Sequence, residues 1–221
     1  MTIELITAYY REEFLLPLFM LHYEPWVDRF TFLTQKRADG KFDDEDKQNW
    51  INAAIERSKA DWVVLVDMDE FIYPVPWGAN PRVILEQEAG DLIYSHMTRM
   101  WRHHTDADID RSKPPVPQRL HGIPDHIKPA VFRPISTARV GAGNHDIHCD
   151  FPMQQGKPWA GAHWANADSC FWIERETRDR GPRLSERNIQ RGHGTHTRRT
   201  TEQILEECRS HQDDPVIIQI P

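Results

Sequence analysis

The sequence predicts an α/β fold built on a mostly parallel central sheet, and three observations carry that expectation. Short apolar strands alternate with segments of helical periodicity through the first hundred residues, the order a parallel sheet requires. The run Trp62-Val63-Val64-Leu65-Val66 is uniformly apolar and bounded by charge, which suits a strand covered on both faces. The chain of 221 residues is 39% hydrophobic and holds eight Trp and nine Phe, enough for one sizeable core.

The elements follow in order. Residues 3–8 (IELITA) read as a short buried strand, and the YYREE segment after it as a turn. Pro17 is tolerated only in the first turn of a helix, so a helix begins near it, with Leu18, Leu21 and His22 on its inner face. Residues 28–34 (DRFTFLT) form a second strand, and ADGKFDDED is a loop. A helix from about Asp46 to Lys59 carries Trp50, Ile51, Ala54 and Ile55 at helical spacing. The strand at 62–66 follows. A short helix covers 81–88 and a long strand 91–101. Residues 103–126, with four Pro and four His, read as a long irregular loop, and 128–134 as a short strand. The charged stretch from Asp168 to Arg191 has helical character. A last helix spans Thr200–Ser210 with Thr200 or Thr201 as its N-cap, and the tail VIIQI is a strand or a docking segment.

Charge excludes some classes and raises a question. The total is −7, which argues against general nucleic-acid binding. It is uneven: residues 1–110 hold 21 acidic and 11 basic side chains, a net of −10, and residues 111–221 hold 13 and 16, a net of +3, with eight of the twelve His. No stretch is long and apolar enough for a transmembrane helix, and the first residues lack a secretory signal pattern. Three widely spaced cysteines form neither a zinc motif nor a disulfide framework, so a cytoplasmic location is expected.

The segment WVVLVDMDEFIYP (62–74) is the most informative. Ligands of open parallel sheets bind beyond the carboxyl ends of the strands, so Ala8–Glu12, Gln35–Gly40 and Asp67–Glu70 are expected to converge. In extended backbone Asp67 and Asp69 point to one side. Two adjacent carboxylates repel unless a cation neutralises them, and oxygen donors suit Mg²⁺ or Mn²⁺, which bridge to phosphates. A bare Asp-x-Asp is common in solvated loops; the buried strand before it and Glu-Phe-Ile after it favour a site.

On these residues the chain resembles the GT-A glycosyltransferases, in the family 2-like branch (related to family 92) with a D-x-D-E-F motif. TAYYREEFLLPLFMLHY is similar to that branch's opening, KQNWINAAIERSKADWVVLVDMDEF to its helix-plus-strand block, IKPAVFRPISTARVGAGNHDIH to its Lys/Arg-Pro, Gly and His segment, and AHWANADSCFW to its His-aromatic motif. Tyr9-Tyr10 and the 103–126 insert depart from the pattern. The resemblance implies a Rossmann-like αβα sandwich over residues 1–221. Its nucleotide-binding half would be 1–101, its acceptor and metal-completing half 102–166, and its C-terminal helical segment 167–221. It also implies transfer of a sugar from a UDP- or GDP-linked donor to a glycan, lipid-carrier or protein acceptor. Ala8, Tyr10, Arg11, Asp39 and Asp67 then match nucleotide contacts, with Lys128 and Arg133 as further charge for the diphosphate. Asp67 and Asp69 match the metal pair, Glu70 either supports it or ligates, and His145 or His163, with His148 behind them, completes the site. Asp146, then Asp168, is the candidate general base if the transfer inverts stereochemistry. Trp101, Trp159, Trp164 and Trp172 are core or sugar-stacking residues, Trp159 and Trp164 foremost for stacking. The basic run from Arg175 to Arg199 is mostly solvated surface, with RGHGTHTRR (191–199) as a phosphate-covering lid.

Two other classes fit part of the sequence. His145, Asp146, His148 and Asp150 lie close together in NHDIHCD, as in metal-dependent phosphoesterases, although the spacing matches no strong hydrolase signature. A non-catalytic sugar-binding module on the same fold is the other.

Overall fold

The computed structural model describes residues 1–34, 39–135, 137–150, 152–180, 183–192 and 199–213, the side chains of 142 and 178–180 excepted. It is a mixed α/β fold in which helices cover both faces of a seven-stranded sheet, as the sequence predicts. The elements are β1 (Ile3–Tyr9), α1 (Leu16–Tyr23), β2 (Arg29–Thr34), α2 (Asp44–Arg57), β3 (Trp62–Leu65), β4 (Glu70–Tyr73), α3 (Pro81–Gln87), β5 (Leu92–Trp101) and β6 (Gly122–Phe132). After them come β7 (Arg139–Val140), β8 (Ile147–His148), β9 (Trp159–Asn166), α4 (Ser169–Glu174), α5 (Glu186–Gln190) and α6 (Thr201–Ser210).

The sheet order is β2-β1-β3-β6-β5-β9-β4, and β7 pairs with β8 in a separate hairpin. β1 runs parallel to β2 and β3, β6 runs antiparallel to both β3 and β5, β9 is parallel to β5, and β4 is antiparallel to β9. Five of the seven strands therefore point one way, with β6 and β4 reversed.

Period-two alternation makes the two cores. Ile3 and Leu5 of β1 pair in register with Trp62 and Val64 of β3, and this face packs on Leu18, Phe19 and Tyr23 of α1. Ile6, Val63 and Leu65 face the other way, onto Ile51, Ala54 and Ile55 of α2. Each large apolar side chain fully removed from water here contributes about 1.5–3 kcal/mol.

Local chemistry sets the helix ends. Pro17 lies in the first turn of α1. On that helix Leu21 is 41% exposed, so Phe19 and Tyr23 take the inward position expected of it. Asp43 caps α2 by accepting from the N–H groups of Glu45 and Asp46, which starts the helix at Asp44 rather than Asp46. Thr200 caps α6 in a reciprocal box with Gln203.

The expected loop at 103–126 ends early, because β6 already begins at Gly122 and pairs with β5 along its length. β4 and β9 are additional strands. The 168–191 region is broken into α4, a π-helical turn at Arg175–Arg180, and α5. The VIIQI tail lies outside the described residues.

Candidate functional site

The carboxyl end of β3 opens into a cleft of about 380 Å³. Asp67, Asp69 and Glu70 line it together. They reach it by a turn rather than by extended backbone: the N–H of Glu70 bonds Asp67 O at 3.0 Å, and Glu70 then begins β4. Glu70 Oε2 accepts the N–H of Asp67 at 2.7 Å, so the motif closes on itself. Tyr23 of α1 donates its hydroxyl to Glu70 O at 2.7 Å and anchors the turn from the buried side.

Each acid meets a cation from a different element. Lys47 Nζ of α2 lies 2.7 Å from Asp67 Oδ1. Arg175 Nη1, at the start of the π-helical turn, lies 2.5 Å from Asp69 Oδ2. Lys128 Nζ of β6, fully buried, lies 2.6 Å from Glu70 Oε2. Burial disfavours ionisation of Asp67, but Lys47 and then Lys128 outweigh it and hold the carboxyl well below the usual range. Burial likewise opposes ionisation of Glu70, and Lys128 chiefly overcomes it.

The strand register supplies the next layer. His163 on β9 is the direct partner of Glu70 on β4 and of Arg99 on β5. Its Nδ1 lies 2.7 Å from Asp125 Oδ2, and its Nε2 faces Asp69 Oδ2 at 3.5 Å. Asp125, on β6, also holds Arg99 Nη2 at 2.8 Å and His126 Nδ1 at 3.2 Å. Burial would depress the His163 imidazole, but Asp69 and Asp125 on either side raise it to about 9. Burial depresses His145, reinforced by His126 and Lys128; its ring meets His126 edge-on at 4.5 Å on the cleft wall.

Four carboxylates (Asp67, Asp69, Glu70, Asp125) thus face four fixed cations (Lys47, Arg175, Lys128, Arg99). Such a cleft suits a ligand carrying both charge and cation affinity, and an apolar ligand would leave these groups unpaired.

The fit to a divalent ion is specific in part. Asp69 Oδ2 and His163 Nε2 are spaced so that one ion can touch both, and Asp125 on the far imidazole nitrogen is the carboxylate–histidine support common around bound metals. Among the described residues, the groups of three or more potential ligand side chains within 4.8 Å are Asp125, His126 and His163, and His103, His104 and Asp213. Asp67, Asp69, His145 and His163 all line the cleft, but they do not form such a group together.

Other residues singled out in the sequence lie elsewhere. Ala8 is buried in β1. Tyr10 stands behind the cleft wall, packed on Phe42 and Leu184 and donating to Gly40 O at 3.0 Å. Arg11, with φ of 55°, opens onto a neighbouring cavity of about 340 Å³ that shares Arg175 with the cleft. Asp39 is exposed and accepts the N–H of Lys41. Lys128 acts from beneath, through Glu70. Arg133 does not join the site: it lies over Trp62, at the amino end of β3, because β6 runs antiparallel there. Neither expected base lines the cleft. Asp146 is exposed and pairs with His148 at 2.7 Å, and Asp168 caps α4 through the N–H groups of Cys170 and Phe171. Trp101, Trp159 and Trp164 are core; Trp172, also buried, reaches the cleft wall with Arg199 over its ring. Residues 193–198 of the expected lid lie outside the described residues.

Lys47, Arg99, Asp125, His126 and the specific role of Arg175 escape the sequence reading. The signal for Asp125 and His126 is the pairing of β6 with β5, which a loop assignment for 103–126 conceals.

No protein-family model and no curated protein matches the sequence. Among solved structures, the chain is similar to S. aureus TarS residues 1–349, at 9% identity and a TM-score of 0.33, over 80% of this chain and 63% of that one. It is also similar to a second S. aureus TarS structure, at 10% identity and a TM-score of 0.36, over 96% of this chain and 43% of that one. The chain thus spans less than two thirds of either.

Proposed function

We propose that the protein is a metal-dependent glycosyltransferase that takes a nucleotide-diphosphate sugar as donor. The observation that carries this reading is the turn Asp67–Glu70 at the carboxyl end of a buried strand, opening on a cleft of paired acids and bases. The sequence resemblance at the same residues supports it.

In this reading Asp69 and His163 hold Mn²⁺ or Mg²⁺, with Asp125 orienting the imidazole. When bound, the ion offsets the charge of the departing diphosphate. Lys47, Arg175 and Arg199 supply cationic charge to the same phosphates, and Arg does so through a two-pronged fork. Lys128 keeps Glu70 ionised, and Glu70 fixes the backbone of Asp67. The first half of the chain provides the nucleotide side of the cleft and the later strands its charged wall. UDP or GDP is the favoured nucleotide, and a glycan, lipid carrier or protein is the acceptor. No helix among the described residues is long and apolar enough to cross a membrane. The three free cysteines are compatible with a reducing compartment, and we place the protein in the cytoplasm.

A phosphoesterase built on NHDIHCD finds less support. Asp146, His148 and Asp150 are exposed, and with His145 they form no close ligand group among the described residues. The test is thermal shift with UDP and GDP, each with and without Mn²⁺. At a hundredfold excess over the dissociation constant, binding adds about 2.7 kcal/mol, or roughly 5–11 °C for a chain of this size. Asp69→Asn should abolish the Mn²⁺-dependent part. Product mass analysis with a panel of sugar donors should then show transfer. No shift with any nucleotide, or shifts unaffected by Asp69→Asn, would overturn the proposal.

A further inference from the structure

A second cluster of metal-ligating side chains lies away from the cleft. It joins the segment after β5 to the end of α6. His104 N–H bonds Gln212 O across 108 residues, and this contact brings Asp213 against the two adjacent histidines. His104 Nδ1 stands 3.1 Å from Asp213 Oδ1, and ligand atoms of His103, His104 and Asp213 all lie within 4.8 Å of one another.

The donors fit a tetrahedral ion. Metal bonds of 2.0–2.1 Å in a tetrahedron place neighbouring ligand atoms about 3.3 Å apart, close to the observed His104–Asp213 separation. The His103 ring is held by two neighbours, His104 tilted against it at 4.0 Å and His121 stacked on it at 3.9 Å. Its Nδ1 accepts the N–H of Thr105 at 3.2 Å and meets Thr105 Oγ1 at 2.7 Å, so the following residue holds that edge of the ring and Nε2 is the nitrogen left for an ion. A cavity of about 310 Å³ opens beside the cluster, and the thiol-bearing Cys208 lines it with His103 and His104. Arg102 lines the same cavity, but its guanidinium is drawn off by Asp108 at 2.7 Å and Asp168 at 3.9 Å.

We propose that His103, His104 and Asp213 form a zinc-class metal site that staples the segment after β5 to the end of α6. Imidazole donors beside a carboxylate, with a thiol at the margin, select a borderline-soft ion such as Zn²⁺ over the oxygen-preferring Mg²⁺ or Ca²⁺. The role is structural. None of the three residues lines the catalytic cleft, so the site is independent of the glycosyltransferase reading.

The experiment titrates the metal-free full chain with zinc chloride by calorimetry, and with cobalt chloride while following the visible bands of tetrahedral cobalt. Zinc should raise the unfolding midpoint of the wild-type chain. His104→Ala and Asp213→Asn should each weaken this zinc binding by at least about tenfold, whereas His163→Ala should retain it. Both substitutions sit on exposed side chains, and circular dichroism verifies that the variants are folded. The proposal fails if the wild-type chain shows no saturable zinc binding. It also fails if the two variants bind zinc as the wild type does, or if His163→Ala alone removes the site.

Discussion

The Glu70–Lys128 pair gives the sharpest test of how this site is built. Lys128 is 0% exposed, and its ammonium lies 2.6 Å from Glu70 Oε2. Glu70→Gln keeps the shape and can still accept the N–H of Asp67. The same oxygen also faces Lys128, while the N–H₂ takes the Oε1 place beside His126, so the buried ammonium loses its carboxylate charge and keeps only a neutral amide oxygen. Breaking one side of a buried pair costs about 3–5 kcal/mol, because the remaining charge is left uncompensated. At about 2–4 °C per kcal/mol for a chain of this length, the melting midpoint should fall by roughly 6–20 °C. Thermal unfolding followed by circular dichroism reads this directly. The double variant Glu70→Gln/Lys128→Met removes the stranded charge and should recover most of the loss. A single variant within about 3 °C of wild type would refute the reasoning. So would a double variant no more stable than the single one.

Two further predictions rest on single groups. His22 donates from Nε2 to Ile72 O at 2.8 Å among Tyr23, Phe71 and Trp77, and burial lowers its pKa to about 4. The unfolded chain therefore takes up this proton first, so the contribution is full above about pH 6.5 and is lost as pH falls toward 4, by up to about 3 kcal/mol. His22→Gln should flatten that slope in urea unfolding at pH 7, 5.5 and 4.5; an unchanged slope would count against it. Asp168→Ala should cost about 0.5–2 kcal/mol as a lost cap, with nucleotide affinity unchanged, and a selective loss of turnover at unchanged stability would instead mark it as a base.

What the sequence discloses and what it hides have one physical origin. β3 is legible because five consecutive apolar residues between charges admit few other structures. The acids after it are legible because they interrupt that run abruptly. β9 is hidden: WAGAHWAN is rich in Ala and Gly, which strands disfavour, and its role comes from lying between β4 and β5. β6 is half hidden because prolines and histidines obscure its first residues, although Pro124 and Pro129 both sit within it. Two of the partners that complete the cleft, Asp125 and His126, come from this concealed stretch. Pairings between residues 38 to 106 positions apart carry no local signature, so Asp125–His163 and Asp69–Arg175 emerge only from the folded register.

The split between an acidic first half and a basic second half acquires a geometric meaning at this cleft. Asp67, Asp69 and Glu70 come from the first half, and Lys128 and Arg175, which hold Glu70 and Asp69, come from the second. The closure is not complete by halves, since Lys47 and Arg99 belong to the acidic side and Asp125 to the basic one. The consequence is a preorganised site: charges are fixed against one another before any ligand arrives, in surroundings where water screens them poorly. A cation approaching Asp69 must compete with Arg175, and a phosphate approaching Arg175 must compete with Asp69. A ligand that brings both charges together satisfies each partner of that pair at once, whereas either charge alone leaves one of them stranded. Under the proposed function this favours joint over separate binding of a nucleotide diphosphate and its metal, and it follows from the Asp69–Arg175 contact itself.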